Sequence, residues 1–229
     1  MNERDWDDVL AAAARLQALL PDAVLVGGSA ASAHAGHRVS LDDDHVLVDL
    51  RERFDDVLAQ LEHDESWITA RVNRPVLILG SLDGVETGIR QLIRRRPLEV
   101  EEISGPGGPI RVPTLPEMLR VKAWLVLRRN GTRDYLDVVA LADRLGGERA
   151  ARIALELDAY YEDQVGTGGS RVAAQLARQL AEPAPYDLSD VDLHSYRRLE
   201  PRWQEWDAVA AACAALAKAM LTALAEGTG

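Results

Sequence analysis

Three consecutive aspartates, Asp42, Asp43 and Asp44, open the apolar run His45–Leu50. Adjacent carboxylates repel, and burying any of them is costly unless its charge is compensated. A β-strand alternates its side chains between two faces. If this run is a strand, Asp42 and Asp44 share one face and Asp43 takes the other. The fold must therefore accommodate a pair of carboxylates side by side, which a cation would neutralise, with a lone one behind them. The bland alternative is a solvated turn.

What precedes the aspartates narrows the choice. Ala-Val-Leu-Val at 23–26 is a short β-run stopped by Gly27 and Gly28. Ser29-Ala-Ala-Ser-Ala-His-Ala reads as a short helix with Ser29 as its N-cap. Gly-Gly-Ser at a helix start offers a phosphate backbone N–H groups, a hydroxyl and no obstructing side chain. Mg²⁺ takes hard oxygen ligands and is usually held by one or two carboxylates plus substrate phosphates. Alone, a Gly-Gly-Ser or an Asp-x-Asp is commonplace. Joined in a strand–helix–strand frame, they point to phosphoryl or nucleotidyl transfer.

The rest of the chain falls into two regions. Residues 5–20 have apolar positions at helical spacing and stop at Pro21. A long helix is expected over 51–63, and extended runs over 67–72, 75–82 and 84–92, the last two joined by an Asp83-Gly84 hairpin turn. Short strands at 98–103 and 109–114 flank a Gly/Pro loop. From Thr114 the pattern is helical, opened by a Thr114–Glu117 capping box. A final long helix is expected from about His194 to Ala225, after the loop-like Glu182–Asp190. The fold class is α+β: a domain with a mixed sheet over 1–110, then a helical domain over 111–229.

At this point the residues carry a resemblance. Gly-Gly-Ser, a helix and Asp-x-Asp on the next strand resemble the first motif of the DNA polymerase β-like nucleotidyltransferase superfamily. The spacing Arg38-x-Ser40-x-Asp42-x-Asp44 resembles more narrowly the AbiEii/AbiGii-type nucleotidyltransferase toxins. Later, Lys122 early in one helix and Arg133-Asp134-x-x-Asp137 opening the next resemble that family's further motifs. The resemblance runs roughly from Val24 to Leu145. It implies that Gly27, Gly28 and Ser29, with Arg38 and Ser40, hold the nucleotide, and that Asp42 and Asp44 hold Mg²⁺. It gives Lys122 a phosphate or nucleotide contact and Asp134 a catalytic place. Asp137 matches the next acidic position, or is a structural residue of the helix's first turn. The superfamily commonly uses a third carboxylate on a following strand. Here Glu86 is the candidate metal ligand, and Gly88 stands on the same strand face.

Physical chemistry adds its own constraints. Lys122 sits between Val121, Ala123 and Trp124, where an ammonium needs a partner. The net charge of −11 argues against a general nucleic-acid coat, though Arg94–Arg96 and Arg128-Arg129 are local basic clusters. No segment reads as a membrane span or secretory signal, so a cytoplasmic protein without a membrane partner is expected. Cys213, the one cysteine, reads as a buried apolar residue. The five histidines lack zinc spacing, and Val165–Ser170, though glycine-rich, reads as a linker.

The expected function is Mg²⁺-dependent transfer of a nucleoside monophosphate from an NTP to an RNA (tRNA), protein or small-molecule acceptor. By resemblance this is the toxin of a toxin–antitoxin pair, with a cognate antitoxin as partner. The alternative is a nucleotide- or partner-binding protein whose catalysis has lapsed.

Overall fold

The computed structural model describes residues 6–164 and 171–226, so the glycine-rich stretch at 165–170 lies outside the described residues. The chain divides into two compact units, one built from the residues up to Ala33 and Val39–Thr114, the other from His34–Arg38 and the residues from Leu115 onward. The division falls after Thr114 because Arg111 still lies within a paired strand.

In the first unit, α1 (Trp6–Leu19) leads to β1 (Val24–Leu25), α2 (Gly27–Ala35), β2 (Asp43–Leu47) and α3 (Phe54–Glu62). Strands β3 (Trp67–Asn73), β4 (Leu77–Leu82) and β5 (Val85–Gln91) follow, then the hairpin β6 (Val100–Gly105) and β7 (Gly108–Pro113). The five-stranded sheet has the order β1-β2-β5-β4-β3. It is mixed: β2 and β5 run parallel, and the remaining pairs are antiparallel. The β4–β5 turn is at Asp83 (φ 52°) and Gly84 (φ 73°), the doubly positive geometry that matches strand twist in tight hairpins. Gln17 clips β7 to α1, accepting from Arg111 N at 2.7 Å and donating to Arg111 O at 3.0 Å.

One face of this sheet is the core face. Leu47, Ile78, Leu82 and Ile89 pack with Leu16 and Leu20 of α1 and Phe54, Val57 and Leu61 of α3. Each such side chain contributes about 1.5–3 kcal/mol on burial. Alternation fixes what lies behind. Asp43, His45 and Leu47 are buried, while Asp44 and Val46 on the other face are partly exposed and Asp42 is exposed.

The second unit is helical: α4 (Leu115–Arg129), α5 (Thr132–Leu145), α6 (Gly147–Leu155), α7 (Leu157–Tyr160), α8 (Val172–Ala181) and α9 (Trp206–Glu226). Trp124 stacks on Tyr161 with ring centroids 4.4 Å apart. Helix α9 starts later than expected. Pro201 opens a 3₁₀ turn, Pro201–Trp203, and 194–205 is not part of the long helix. The expectation about membrane spans is also corrected, because α9 is long and apolar enough, by length and composition, to cross a bilayer. Its alanines account for this. Val209, Cys213, Leu216, Ala217 and Met220 are nonetheless buried, and the helix packs on α5, α6 and α8.

Candidate active site

The Asp44 carboxylate lies in a gap that two glycines leave open. Gly27 has φ +71°, and a Cβ added there would be 3.2 Å from both Cβ and Oδ2 of Asp44. Gly88 is the direct partner of Asp44 in the parallel β2–β5 ladder, and a Cβ there would be 2.6 Å from Asp44 Oδ1. Both backbone positions are thus kept bare around one carboxylate. Arg90 Nε is 3.4 Å from Asp44 Oδ1, an exposed and weak pairing.

Gly27 begins α2, so the first-turn N–H groups of Gly27, Gly28 and Ser29 point away from the helix without the i−4 acceptors of later turns. Ser29 is inside that turn rather than at the N-cap. Its side chain is buried, and its hydroxyl donates to the carbonyl of Asp42 at 2.5 Å. That bond ties α2 to the approach to β2, so a phosphate would meet the backbone N–H of Ser29 and not its hydroxyl. Ser40 is buried in the same approach.

Asp43 is sealed on the core face. Thr87 Oγ1 donates to its Oδ2 at 3.4 Å, and His45 Nδ1 is 3.4 Å from its Oδ1. Burial pushes the Asp43 carboxyl well above its usual range, the Thr87 bond opposing this and the nearby Asp44 charge adding to it. Burial likewise lowers His45 to about 3, so that imidazole is neutral.

Glu86 is exposed on β5, two residues before Gly88. Among the described residues, no group of three or more His, Cys, Asp or Glu side chains gathers as a metal site. Asp42 and Asp44 are what this region offers a cation. Asp44 against the side-chain-free start of α2, with Asp42 exposed two residues before it, is the donor set that would hold Mg²⁺ together with substrate phosphates.

The helical unit holds a second constellation, centred on Asp137. Its carboxylate is fully buried and accepts from Arg38 twice, Nε to Oδ1 at 2.9 Å and Nη2 to Oδ2 at 3.1 Å. Lys122 Nζ is 2.7 Å from Oδ2, and His37 Nε2 is 2.8 Å from Oδ1. Burial alone would raise the Asp137 carboxyl. The charges of Arg38 and Lys122 and the His37 bond outweigh it and hold the group well below the usual range. The partner required by Lys122 is therefore Asp137, with Asp134 Oδ1 further off at 3.9 Å. Burial raises the Asp134 carboxyl, against the pull of Lys122. Arg38, which the sequence motif assigns to nucleotide, spends its guanidinium fork on Asp137 and lies 5.8 Å from the centre of the Tyr196 ring.

Sequence reasoning left His37 out of the site and gave Asp137 two alternative roles. The available signal was the His37-Arg38 pair just ahead of Ser40 and Asp42, but its partner lies about a hundred residues away in the chain.

No family model matches the chain. Among characterised proteins it is similar to the heme uptake protein MmpL11 of Mycobacterium tuberculosis, 35% identical over 129 residues, which are 56% of this chain and 13% of that one. It is likewise 35% identical over 131 residues to the mycolic acid-containing lipids exporter MmpL11 of Mycolicibacterium smegmatis, again 13% of that protein. The chain thus matches about an eighth of the length of these relatives. Its structural neighbours are nucleotidyltransferases or nucleotidyltransferase-like. They include the antibiotic-resistance factor ANT(2'')-Ia, with TM-score 0.49 and 15% identity over 69% of this chain and 92% of that one. Another is an antigenic nucleotidyltransferase-like protein of Paracoccidioides brasiliensis, with TM-score 0.47 and 17% identity over 69% of this chain and 88% of that one. At such values the likeness assigns no role to any residue here.

Proposed function

We propose that this chain is a nucleotidyltransferase. The observation that carries the reading is the Asp44 carboxylate laid against Gly27 at the start of α2, with Asp42 exposed two residues before it. Asp42 and Asp44 would hold Mg²⁺, and the first-turn N–H groups of Gly27, Gly28 and Ser29 would receive the NTP phosphates. When bound, the metal supplies charge neutralisation at the α-phosphate and lowers the pKa of the attacking hydroxyl. The acceptor oxygen forms a bond to the α-phosphorus, the α–β bridging bond breaks, and pyrophosphate leaves with its electron pair. The hydroxyl proton departs to solvent. Arg38 and Lys122 both hold the buried Asp137 carboxylate within the helical unit.

The acceptor is a hydroxyl of an RNA such as tRNA, of a protein or of a small molecule. The family we favour is the AbiEii type, with a toxin role, a cognate antitoxin and a cytoplasmic setting. The AbiEii reading rests on the Arg38-x-Ser40-x-Asp42-x-Asp44 spacing and on the Lys122 and Arg133-Asp134-x-x-Asp137 segments. The second reading, a binding protein with lapsed catalysis, draws on Gly88, which stands opposite Asp44 where a third acid would serve.

The test is incubation with Mg²⁺ and each labelled NTP, with tRNA, with small acceptors and with none. Label transfer that disappears in Asp42→Ala and Asp44→Ala supports the enzyme. Mg²⁺-dependent NTP binding with no transfer to any acceptor selects the lapsed form. Absence of both defeats the nucleotide reading.

A further inference from the structure

Within the helical unit, a pocket of about 280 Å³ opens at the α4–α5 turn. It is lined by Arg129, Gly131, Arg133, Asp134, Tyr186, Asp187 and Tyr196. Nothing in the residue pattern points to a site here, because Tyr186 and Asp187 belong to a loop-like stretch with two prolines.

That loop is fixed in place. Asn130 Nδ2 donates to Ala184 O at 2.9 Å, and Tyr186 N donates to Asn130 O at 3.0 Å. Asp187 Oδ1 accepts from both N and Oγ1 of Thr132, each at 2.8 Å. The Asn130 side chain is held in turn, its Oδ1 accepting from Tyr135 Oη at 2.6 Å and Gln179 Nε2 at 2.8 Å. A preorganised loop loses little entropy when it binds. Yet it presents Tyr186 with 74% of its surface exposed. An aromatic ring carried into solvent on a tethered backbone offers an open face for stacking.

The polar groups restrict what that ring carries. A Cβ built on Gly131 would be 3.6 Å from Asp187 Oδ2, 3.8 Å from Asp134 Oδ2 and 3.9 Å from Tyr186 Cε1. Two carboxylate oxygens and the ring edge therefore converge beside a bare backbone position. Carboxylates accept hydrogen bonds, so the ligand must donate from its ring edge. Arg129 and Arg133 in the same lining favour an anionic group on the same ligand.

We propose that this pocket binds a nucleobase carrying an amino-bearing edge, guanine above all, with the ring on Tyr186, the donor edge toward Asp134 and Asp187, and the attached phosphate toward Arg129 and Arg133. Guanine offers two adjacent donors on one edge, adenine and cytosine an amino group each. Uracil offers one N–H between two carbonyls, which the carboxylates repel. The pocket's size, at the lower end for small-molecule sites, admits one nucleoside unit. The proposal deepens, and rests on, the reading of this chain as a nucleotide-handling protein. The nucleobase can belong to a free nucleotide or to a strand end.

The test is calorimetric titration of the full chain with GMP, AMP, CMP and UMP in EDTA at low salt. GMP is expected to bind tightest and UMP at least about tenfold more weakly. Tyr186→Ala is expected to weaken GMP on the order of tenfold, and Tyr186→Phe to retain it. Gly131→Ala, at φ −94° and ψ 144° where any residue fits, places a methyl in the pocket and is expected to weaken GMP without unfolding the protein. A guanosine-ended RNA oligonucleotide binding more tightly than GMP would identify a strand end, and equal binding a free nucleotide. UMP binding as well as GMP, binding unchanged in Tyr186→Ala, or no binding by any nucleotide would each overturn the proposal. Metal-free GMP binding that survives Asp44→Ala, alongside no label transfer, defeats the transferase reading alone. Transfer indifferent to Tyr186→Ala and to the base defeats the pocket alone.

Discussion

Gly88 faces Asp44 across the parallel β2–β5 ladder, and a Cβ on it would come within 2.6 Å of Asp44 Oδ1. The absence of a side chain at 88 is thus what allows the Asp44 carboxylate its position. The atom in the way is the end of a side chain that can rotate aside, so Gly88→Ala is expected to cost only about 1–3 kcal/mol of stability. Its effect on function should be larger, because displacing a metal-holding carboxylate by an ångström can cost on the order of 100-fold in rate. Thermal melting beside label transfer checks this. A variant that melts far lower yet transfers normally would separate Asp44 from the chemistry.

Asp43 provides the contrast. It sits between the proposed metal ligands but is sealed on the core face, where burial favours its neutral form. Asp43→Asn keeps the shape and the neutrality and can still accept from Thr87. Mg²⁺-dependent NTP binding is expected to match the parent, while Asp42→Ala and Asp44→Ala lose it. Loss in Asp43→Asn equal to that in the flanking variants would mean that the run acts as one acidic patch.

This contrast was legible in the bare string, because strand alternation is a local rule. The Asp83-Gly84 hairpin was legible for the same reason, since turn geometry is set by two residues. The Asp137 cluster was not. Asp137 follows Asp134 on α5, yet its meaning comes from His37 and Arg38, which the chain supplies a hundred residues earlier. No periodicity encodes such a meeting. Ser29 misled for a related reason. A serine at a helix start ordinarily caps it, but here its hydroxyl finds the Asp42 carbonyl instead. The pocket beneath Tyr186 was hidden because a Pro-rich stretch reads as a loop whether or not asparagine and threonine fasten it.

Cys213 on α9 is buried, and burial pushes its thiol up to about 12. At pH 8 about one molecule in 10⁴ would carry the thiolate that reacts with an aromatic disulfide reagent. The native protein is expected to resist such a reagent at pH 8 and to react promptly in urea. The rate in native buffer then reports how often α9 leaves α5, α6 and α8. Immediate stoichiometric reaction without denaturant would mean that α9 is detached in solution.

Asp137 is expected to contribute to the acid limit of the helical unit. Removing it in Asp137→Ala leaves Arg38 and Lys122 without the carboxylate they share inside the protein, a loss of about 3–5 kcal/mol at neutral pH. Lys122→Met keeps the bidentate Arg38 pairing, so its cost should be smaller. The folded carboxyl titrates well below its ordinary value of 3.8, so the unfolded chain binds the proton first as pH falls. The stabilisation from Asp137 is therefore complete above the unfolded value and is lost as pH drops through the lower folded one. Urea unfolding of parent and Asp137→Asn across pH 7 to 2 should show a constant gap down to about pH 4 that narrows only below it. A gap that closes between pH 7 and 5 would place the controlling group elsewhere, on a histidine rather than on this carboxylate.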